Sequence, residues 1–592
     1  VKRILGARWL PYAVAALIAL AATWYGLDLW NLDWRVPLYY SGDALAVASH
    51  FKTVIETGWF THQSALGAPY GQFYGDYPQA DNLHFVAANL LRVFSGEFGV
   101  LMNVYFVIGF PLAAVTALWF LRLVGVGRVL GVALAVAFAI APYHFIKGEG
   151  HLFLATYFVV PLALGVIYKV AVGQPLWSRR ILSGRNLATV GTLVLLGTAS
   201  SYYSVFVALV LAVVGVAKLW QTKGWRAFVG AAAAGLVIAG TMVVNLLPSI
   251  LFRLANGVNE AVLVRSPPEA ELYSFKLSSL LLPVPGHRFG PFATLRQLYD
   301  ESYPLPSEAP ALGLIAAAGF VALVVVAVYF LLTAGRTGWR APESHTHRLA
   351  VLAGLALVTF LFGTVGGLST LLSFVNFPIR SWNRIAILLA LLALAAVGLL
   401  LGRLLERLLE QRPARRMLSA VLTGAVAVLL VVLAVWDQIP PVDPAARGAA
   451  VATFDSDRDF VERIEATSEP GCLIYQLPYI AFPESPPVNG VTDADQLRMF
   501  LHSDALRWSS GGIKGRAPVD EVGALAALPV PSMLTAFRDL GVCGIVLDRA
   551  AFADGGSALL GQLVTITGID ATAGRDAFSS DDERFVYVRL PA

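Results

Sequence analysis

Charge is what this chain has least of. Only 14% of its 592 residues are Asp, Glu, Lys or Arg, where a soluble globular protein carries about 25%. Cysteine is nearly absent, with two in the whole chain. No His-rich or Cys-rich spacing of the metal-binding kind occurs. Neither a Walker-type phosphate loop nor a local Ser-His-Asp signature is found, so any reaction must draw its energy from an activated substrate. The net charge of +4 is small and unevenly placed, so it says nothing about nucleic acid.

What fills the chain instead is apolar sequence. It is 57% hydrophobic with a mean hydropathy of +0.67, and many runs reach the roughly 20 residues that a bilayer span needs. Spans are expected at 10–27, 100–121, 129–141, 152–170, 187–199, 205–219, 228–247, 312–332, 349–362, 385–401 and 417–435, about eleven in all. Lys2, Arg3 and Arg8 precede the first without a cleavable signal pattern, so that span is read as retained. Lys and Arg in short loops set the orientation. Arg122, Arg128, Lys169, the 179–185 cluster, Lys218, Lys223, Arg226, Arg336, Arg340, Arg348, Arg403, Arg407, Arg412, Arg415 and Arg416 fall on the cytoplasmic side with the amino terminus. The outer side receives 41–85, 142–151, 249–310, 366–384 and the tail. One alternative inverts the later loops: 187–219 as a single helix rather than a hairpin broken at Ser200–Ser204. The positive-inside bias favours the hairpin. Residues 277–282 read as an apolar helix dipping into the interface, and 403–412 as an amphipathic cytoplasmic extension.

The two-domain reading is thus 1–438 as a membrane domain with outer loops 41–98, 249–310 and 366–384, and 439–592 as an extracytoplasmic α/β domain. Strands are expected at 472–477, 544–547 and 585–590, and helices at 460–466 and 533–540. Cys472 and Cys543 both begin strands. They are either a disulfide, suited to an oxidising compartment, or two buried thiols.

The polar stretch 41–85 is the centre of the functional reading. Residues 43–57 have helical spacing, with Val47, Phe51, Val54 and Ile55 on one side, and predict a short helix along the membrane surface. Asp43 stands at its amino end, where a helix cap is the plain role. Asp76 and Asp81 flank Pro78; they are turn acids or, with Asp43, oxygen ligands for a divalent ion. His84 follows in the same stretch. Tyr143, His144, Lys147, Glu149 and His151 lie between two spans, either capping helix ends or gripping a lipid phosphate, with Glu149 placed to pair with Lys147. Arg380 and Arg384, four apart in FPIRSWNR, are cations on the side that positive-inside bias depletes, which points to an anionic partner or to snorkelling at the interface. Tyr202 and Tyr203 mark the expected outer turn.

The phrases GDAL, ETGW, LGAPYGQ, DYPQADNLHF, the GEGH entry and FPIRSWNR, set in this layout, resemble the GT-C superfamily of integral membrane glycosyltransferases, near its bacterial YfhO-like branch. The likeness covers residues 1–438 in layout. It implies a catalytic acid in the first outer loop, matched here by Asp43, and a sugar donor on polyprenyl phosphate. The doubled acid of some members is absent from Gly42-Asp43-Ala44. The resulting expectation is inverting transfer at the outer face of a bacterial cytoplasmic membrane, onto a glycolipid or cell-surface glycan. Asp43 is the base; Arg380, Arg384, Lys147 and His151 hold the donor phosphate; Asp76, Asp81, His84, His144, Glu149, Tyr202 and Tyr203 line the pocket. No cofactor is required, with room left for Mg or Mn. The competing expectation is a non-catalytic transporter or assembly partner for lipid-linked saccharides.

Overall fold

In the computed structural model, residues 8–304, 310–333, 344–375, 379–409, 416–569, 574 and 576–591 are described. Lys2, Arg3, Arg336, Arg340, Phe377, Pro378, Arg412 and Arg415, named above, lie outside them. The protein is a polytopic helical membrane protein followed by an α/β domain. Eight helices are long and apolar enough to cross a membrane: Phe98–Val124, Arg128–Lys147, Ser201–Thr222, Trp225–Asn256, Leu314–Thr333, His345–Gly363, Trp382–Leu408 and Met417–Gln438. The other three expected segments are helical but shorter. They are Leu10–Gly26 and Gly184–Ala199, of 17 and 16 residues, and Val159–Ala171, separated from Leu152–Ala155 by a non-helical step.

Ser200 settles the hairpin. Its backbone is extended and its hydroxyl accepts the Tyr203 N–H, so it caps a new helix instead of continuing the old one. Trp177 Nε1 donates to Gly230 O (2.9 Å), and Asn245 Nδ2 donates to Gly197 O (3.4 Å). The Gly184–Ala199 and Trp225–Asn256 helices therefore run the same way, with Ser201–Thr222 returning between them. The extension at 403–412 is simply the end of Ala386–Leu409 as far as that helix is described.

Two segments differ from expectation. Residues 142–147 are not an outer loop. Pro142–Lys147 is helical, with Pro142, Tyr143, His144, Phe145 and Lys147 buried, because proline at the first helical position restarts the helix after Ala141. The Asp43–Thr57 helix, expected at a surface, is largely buried within the protein. It is enclosed on nearly every side, and even Lys52 is buried, held by Glu56 (2.7 Å) and Asp504 (3.3 Å) over the Phe500 ring.

The neighbours of this helix are the Phe98–Val124 and Asn82–Leu91 helices and the carboxy-terminal domain. The first outer loop carries a two-stranded ribbon, β1 (His62–Gln63) and β2 (Gln72–Phe73). The domain proper has a five-stranded sheet built from β3 (Leu473–Leu477), β4 (Arg507–Trp508), β5 (Val542–Asp548), β6 (Ala577–Ser579) and β7 (Phe585–Arg589), in the order β4-β3-β5-β7-β6. β4, β3 and β5 are parallel; β7 and β6 are antiparallel. Alternate residues face opposite layers. On one face, the Phe460 ring of Pro444–Thr467 packs beside Phe578 and Phe585; on the other, Tyr475 meets Phe537 of Val530–Leu540 at 4.2 Å. Cys472 and Cys543, brought together by the parallel β3–β5 register, are bonded, with Cα atoms 6.0 Å apart.

The first loop is stitched to this sheet. Gly67 N–H donates to Ser510 O (2.8 Å), Ala68 N–H to Trp508 O (2.9 Å), and Trp508 N–H to Ala65 O (2.8 Å). A Cβ on Gly67 would stand 2.6 Å from Gly512 Cα, so glycine is required there. Tyr40 donates to Asp457 (2.8 Å), whose carboxylate also takes two N–H groups of Arg498 (2.7 and 3.0 Å). A buried ion pair contributes to holding two parts together only when such extra hydrogen bonds satisfy its remaining lone pairs.

Candidate functional site

Asp43 is the first residue of its helix, but it does not cap it. Gly42 occupies the cap position at φ 53°, ψ −137°, a conformation open to glycine and costly for other residues, and no side-chain cap bond forms. The chain thus turns sharply just before Asp43 and leaves its carboxylate free. The side chain is 74% exposed, and His151 Nε2 lies 3.7 Å from its Oδ2. Burial by surrounding protein nevertheless raises its pKa, opposed by the charges of Arg384 and Arg380 and assisted by Glu484. A carboxylate that reaches solvent while protein surrounds it stands in a recess.

His151, expected as a phosphate-gripping cation, faces Asp43 instead. Burial, together with the charges of Arg384, Lys147 and Arg380, pushes its pKa well below the ordinary value. That setting favours the neutral imidazole. Arg384 lies over the Tyr202 ring at 4.2 Å, its Nε makes no hydrogen bond, and among the described residues no carboxylate is within ion-pair distance of it. Its charge reaches Asp81, which accepts the Ser201 N–H and is pushed by burial up to about 7. Lys147 is buried, 5.4 Å from the Tyr143 ring centre. Asp43, His151, Lys147, Asp81, Tyr202 and Arg384 thus converge.

Other expected residues have different work. Asp76 is 2% exposed at its side chain and takes both forks of Arg516, at 2.7 Å each. His84 is spanned by the Tyr105 hydroxyl and Ala199 O, both at 2.6 Å, and stacks on Phe153; burial pushes its pKa to about 4. His144 stacks on Phe110 at 3.6 Å, and its Nδ1 bonds Ala139 O. Tyr203 is buried, donating to Leu154 O and meeting Tyr143. Glu149 does not pair with Lys147. Its Oε2 accepts the Tyr39 N–H (3.0 Å), and burial pushes its pKa up to about 8. It ties the segment leading into Asp43 to the turn that carries His151.

Arg380 is less available than expected, because it is shared by Glu269 (3.4 Å) and Glu484 (3.1 Å). The ion-pair partners of Glu484, Glu269 and Arg265 lie 104 to 219 residues away in sequence. Only charge of the wrong sign for a plain loop hints at them. Among the described residues, no three His, Cys, Asp or Glu side chains stand where they could share a metal ion, and Asp76 is committed to Arg516.

No protein-family model matches the chain, and no curated protein does. Among solved structures, it is similar to the Archaeoglobus fulgidus oligosaccharyltransferase in its apo form, with 14% identity, 92% of this chain and 70% of that one covered, and a TM-score of 0.45. The same archaeal protein, AglB, in complex with an inhibitory peptide and a dolichol-phosphate gives 14%, 99%, 76% and 0.45. The arabinofuranosyltransferase AftD from Mycobacteria gives 17% identity over 92% of this chain but 35% of its own, with a TM-score of 0.45. These are similarities at low identity and low score, and the functional reading rests on the residues alone.

Proposed function

We propose that this protein is an inverting membrane glycosyltransferase that takes a sugar from a polyprenyl-phosphate donor at the outer membrane face. The observation carrying this reading is the recess, where an uncapped, solvent-reaching carboxylate faces an imidazole beside a guanidinium that, among the described residues, has no carboxylate within ion-pair distance. Asp43 removes the proton of the acceptor hydroxyl as that oxygen bonds to the anomeric carbon. The bond from the anomeric carbon to the phosphate oxygen breaks, and its electron pair leaves with the lipid phosphate. Arg384, with Lys147, stabilises the charge that develops there. His151 orients Asp43, Tyr202 holds the Arg384 plane, and no step passes through a metal. The acceptor is a glycolipid or cell-surface glycan in a bacterial cytoplasmic membrane.

The test is transfer from a synthetic short-chain polyprenyl-phosphate sugar to a glycolipid acceptor by the full-length protein in liposomes. Asp43→Asn must abolish it. Undiminished transfer by that variant refutes the mechanism; lost glycan export with transfer intact supports the transporter instead.

A further inference from the structure

The carboxy-terminal domain sends one acid to the recess. Glu484 has a positive φ of 59°, uncommon for a residue with a side chain. Its carboxylate takes Nη1 and Nη2 of Arg265 at 3.1 and 3.0 Å, and Nη2 of Arg380 at 3.1 Å. Glu269 holds the other side of Arg380. Lys514 bonds the Glu484 backbone oxygen (3.2 Å) and Ser485, not the carboxylate. A cavity of about 150 Å³, lined in part by Arg265, Ser266, Phe374, Ile379 and Arg380, opens beside the cluster. Asp43 feels the charges of both Arg380 and Glu484, so the cluster borders the recess.

The charges divide unequally. Around Arg265 and Arg380, two guanidinium groups meet two carboxylates and cancel. Arg384, four residues further on, meets none among the described residues. A carboxylate on the fork of Arg265 uses the same donors that a phosphate would use. The recess therefore offers one open anion site next to one already filled by the protein's own side chain. A lipid with a single phosphate finds complementary charge at Arg384. A second phosphate reaching toward Arg380 meets Glu484, like charge against like charge, which is how a site rejects a near relative of its ligand.

Building on the donor reading above, we infer that Glu484 is a specificity-determining residue that restricts the donor to a lipid monophosphate and rejects lipid diphosphates by keeping Arg265 and Arg380 occupied. The experiment is direct binding of farnesyl phosphate and farnesyl diphosphate to the purified full-length protein in detergent. Wild type should bind the monophosphate at least tenfold more tightly. Glu484→Gln should gain tenfold or more for the diphosphate and change less than threefold for the monophosphate. Adding Arg265→Gln to Glu484→Gln should cancel the gain, which separates freed cations from a loosened fold. Wild-type preference for the diphosphate, no binding of either lipid, an unchanged ratio in Glu484→Gln, or equal gains for both lipids would each overturn the inference. Binding needs no turnover: a protein that selects the monophosphate but transfers no sugar would defeat the glycosyltransferase reading and leave this selectivity standing.

Discussion

His151 Nε2 stands 3.7 Å from Asp43 Oδ2, and the carboxylate it faces makes no bond to its own helix. That separation makes the first prediction clean. Asp43→Asn removes the proton acceptor without removing a cap, so transfer should fall by roughly 100- to 10,000-fold, the range for loss of a general base. Thermal unfolding should shift little. A large drop in melting temperature alongside the lost activity would mean that Asp43 is structural.

The pH profile follows from the same group. A base works deprotonated, so kcat/KM should fall on acidification, through a pKa above the ordinary aspartate value of about 3.9, because burial raises it. Arg384 opposes that rise. Residual activity in Arg384→Ala should therefore show its acid limb moved to higher pH, besides an increase in donor KM of roughly 10- to 100-fold from the lost charged hydrogen bonds. An acid limb that stays in place would remove Asp43 as the titrating base.

Much of this was legible locally and some of it was not. The apolar segments declare themselves because hydropathy is a property of consecutive residues, and Ser200 declares its break because Ser caps helices. Asp43 stood out as the acid after the first span. Its freedom from capping did not, since that depends on the backbone angles of Gly42. Asp76 looked like its equal, yet its partner Arg516 is 440 residues away, and no spacing rule reaches so far. The burial of Pro142–Lys147 was hidden for a similar reason. A polar loop and a polar buried helix share one composition, and only the packing around His144 and Lys147 tells them apart.

Glu149 gives a stability prediction with a definite sign. Its folded pKa of about 8 lies above the ordinary glutamate value of 4.5, so folding favours the protonated form. Its contribution is fully present below the unfolded pKa and is lost as pH rises toward about 8. Glu149→Gln stays neutral throughout. The variant should gain stability relative to wild type as pH goes from 4.5 to 8 and hold that gain above it, measured by thermal unfolding in detergent. A difference independent of pH would show that Glu149 is ionised in the fold.

Arg516→Ala should destabilise without touching chemistry. It leaves the Asp76 carboxylate, 2% exposed, without its bidentate partner. Removing one member of a buried pair costs about 3 kcal/mol, and the partial exposure of Arg516 puts this case at the low end. At permissive temperature, transfer per folded molecule should stay within about threefold of wild type, as no charge-assisted bond near Asp43 is lost. A specific activity reduced a hundredfold would bring Asp76 back into the site.

Sidedness can be tested with a chain that offers no thiol background, because Cys472 and Cys543 are bonded to each other. The first outer loop pairs backbone to backbone with the carboxy-terminal sheet, so the recess and that domain must share a side. Arg122, Lys169, Arg185 and Arg348 gather at the other end, where Arg348 crowds Gly125 and the charge of Arg185 reaches Lys169. Positive-inside bias assigns that end to the cytoplasm. Asp581 and Ile181 are both exposed, one on each side. A membrane-impermeant maleimide should label Asp581→Cys in spheroplasts and reach Ile181→Cys only after permeabilisation. Labelling of Ile181→Cys from outside would put the recess in the cytoplasm, where a lipid donor presented at the outer face could not reach Asp43.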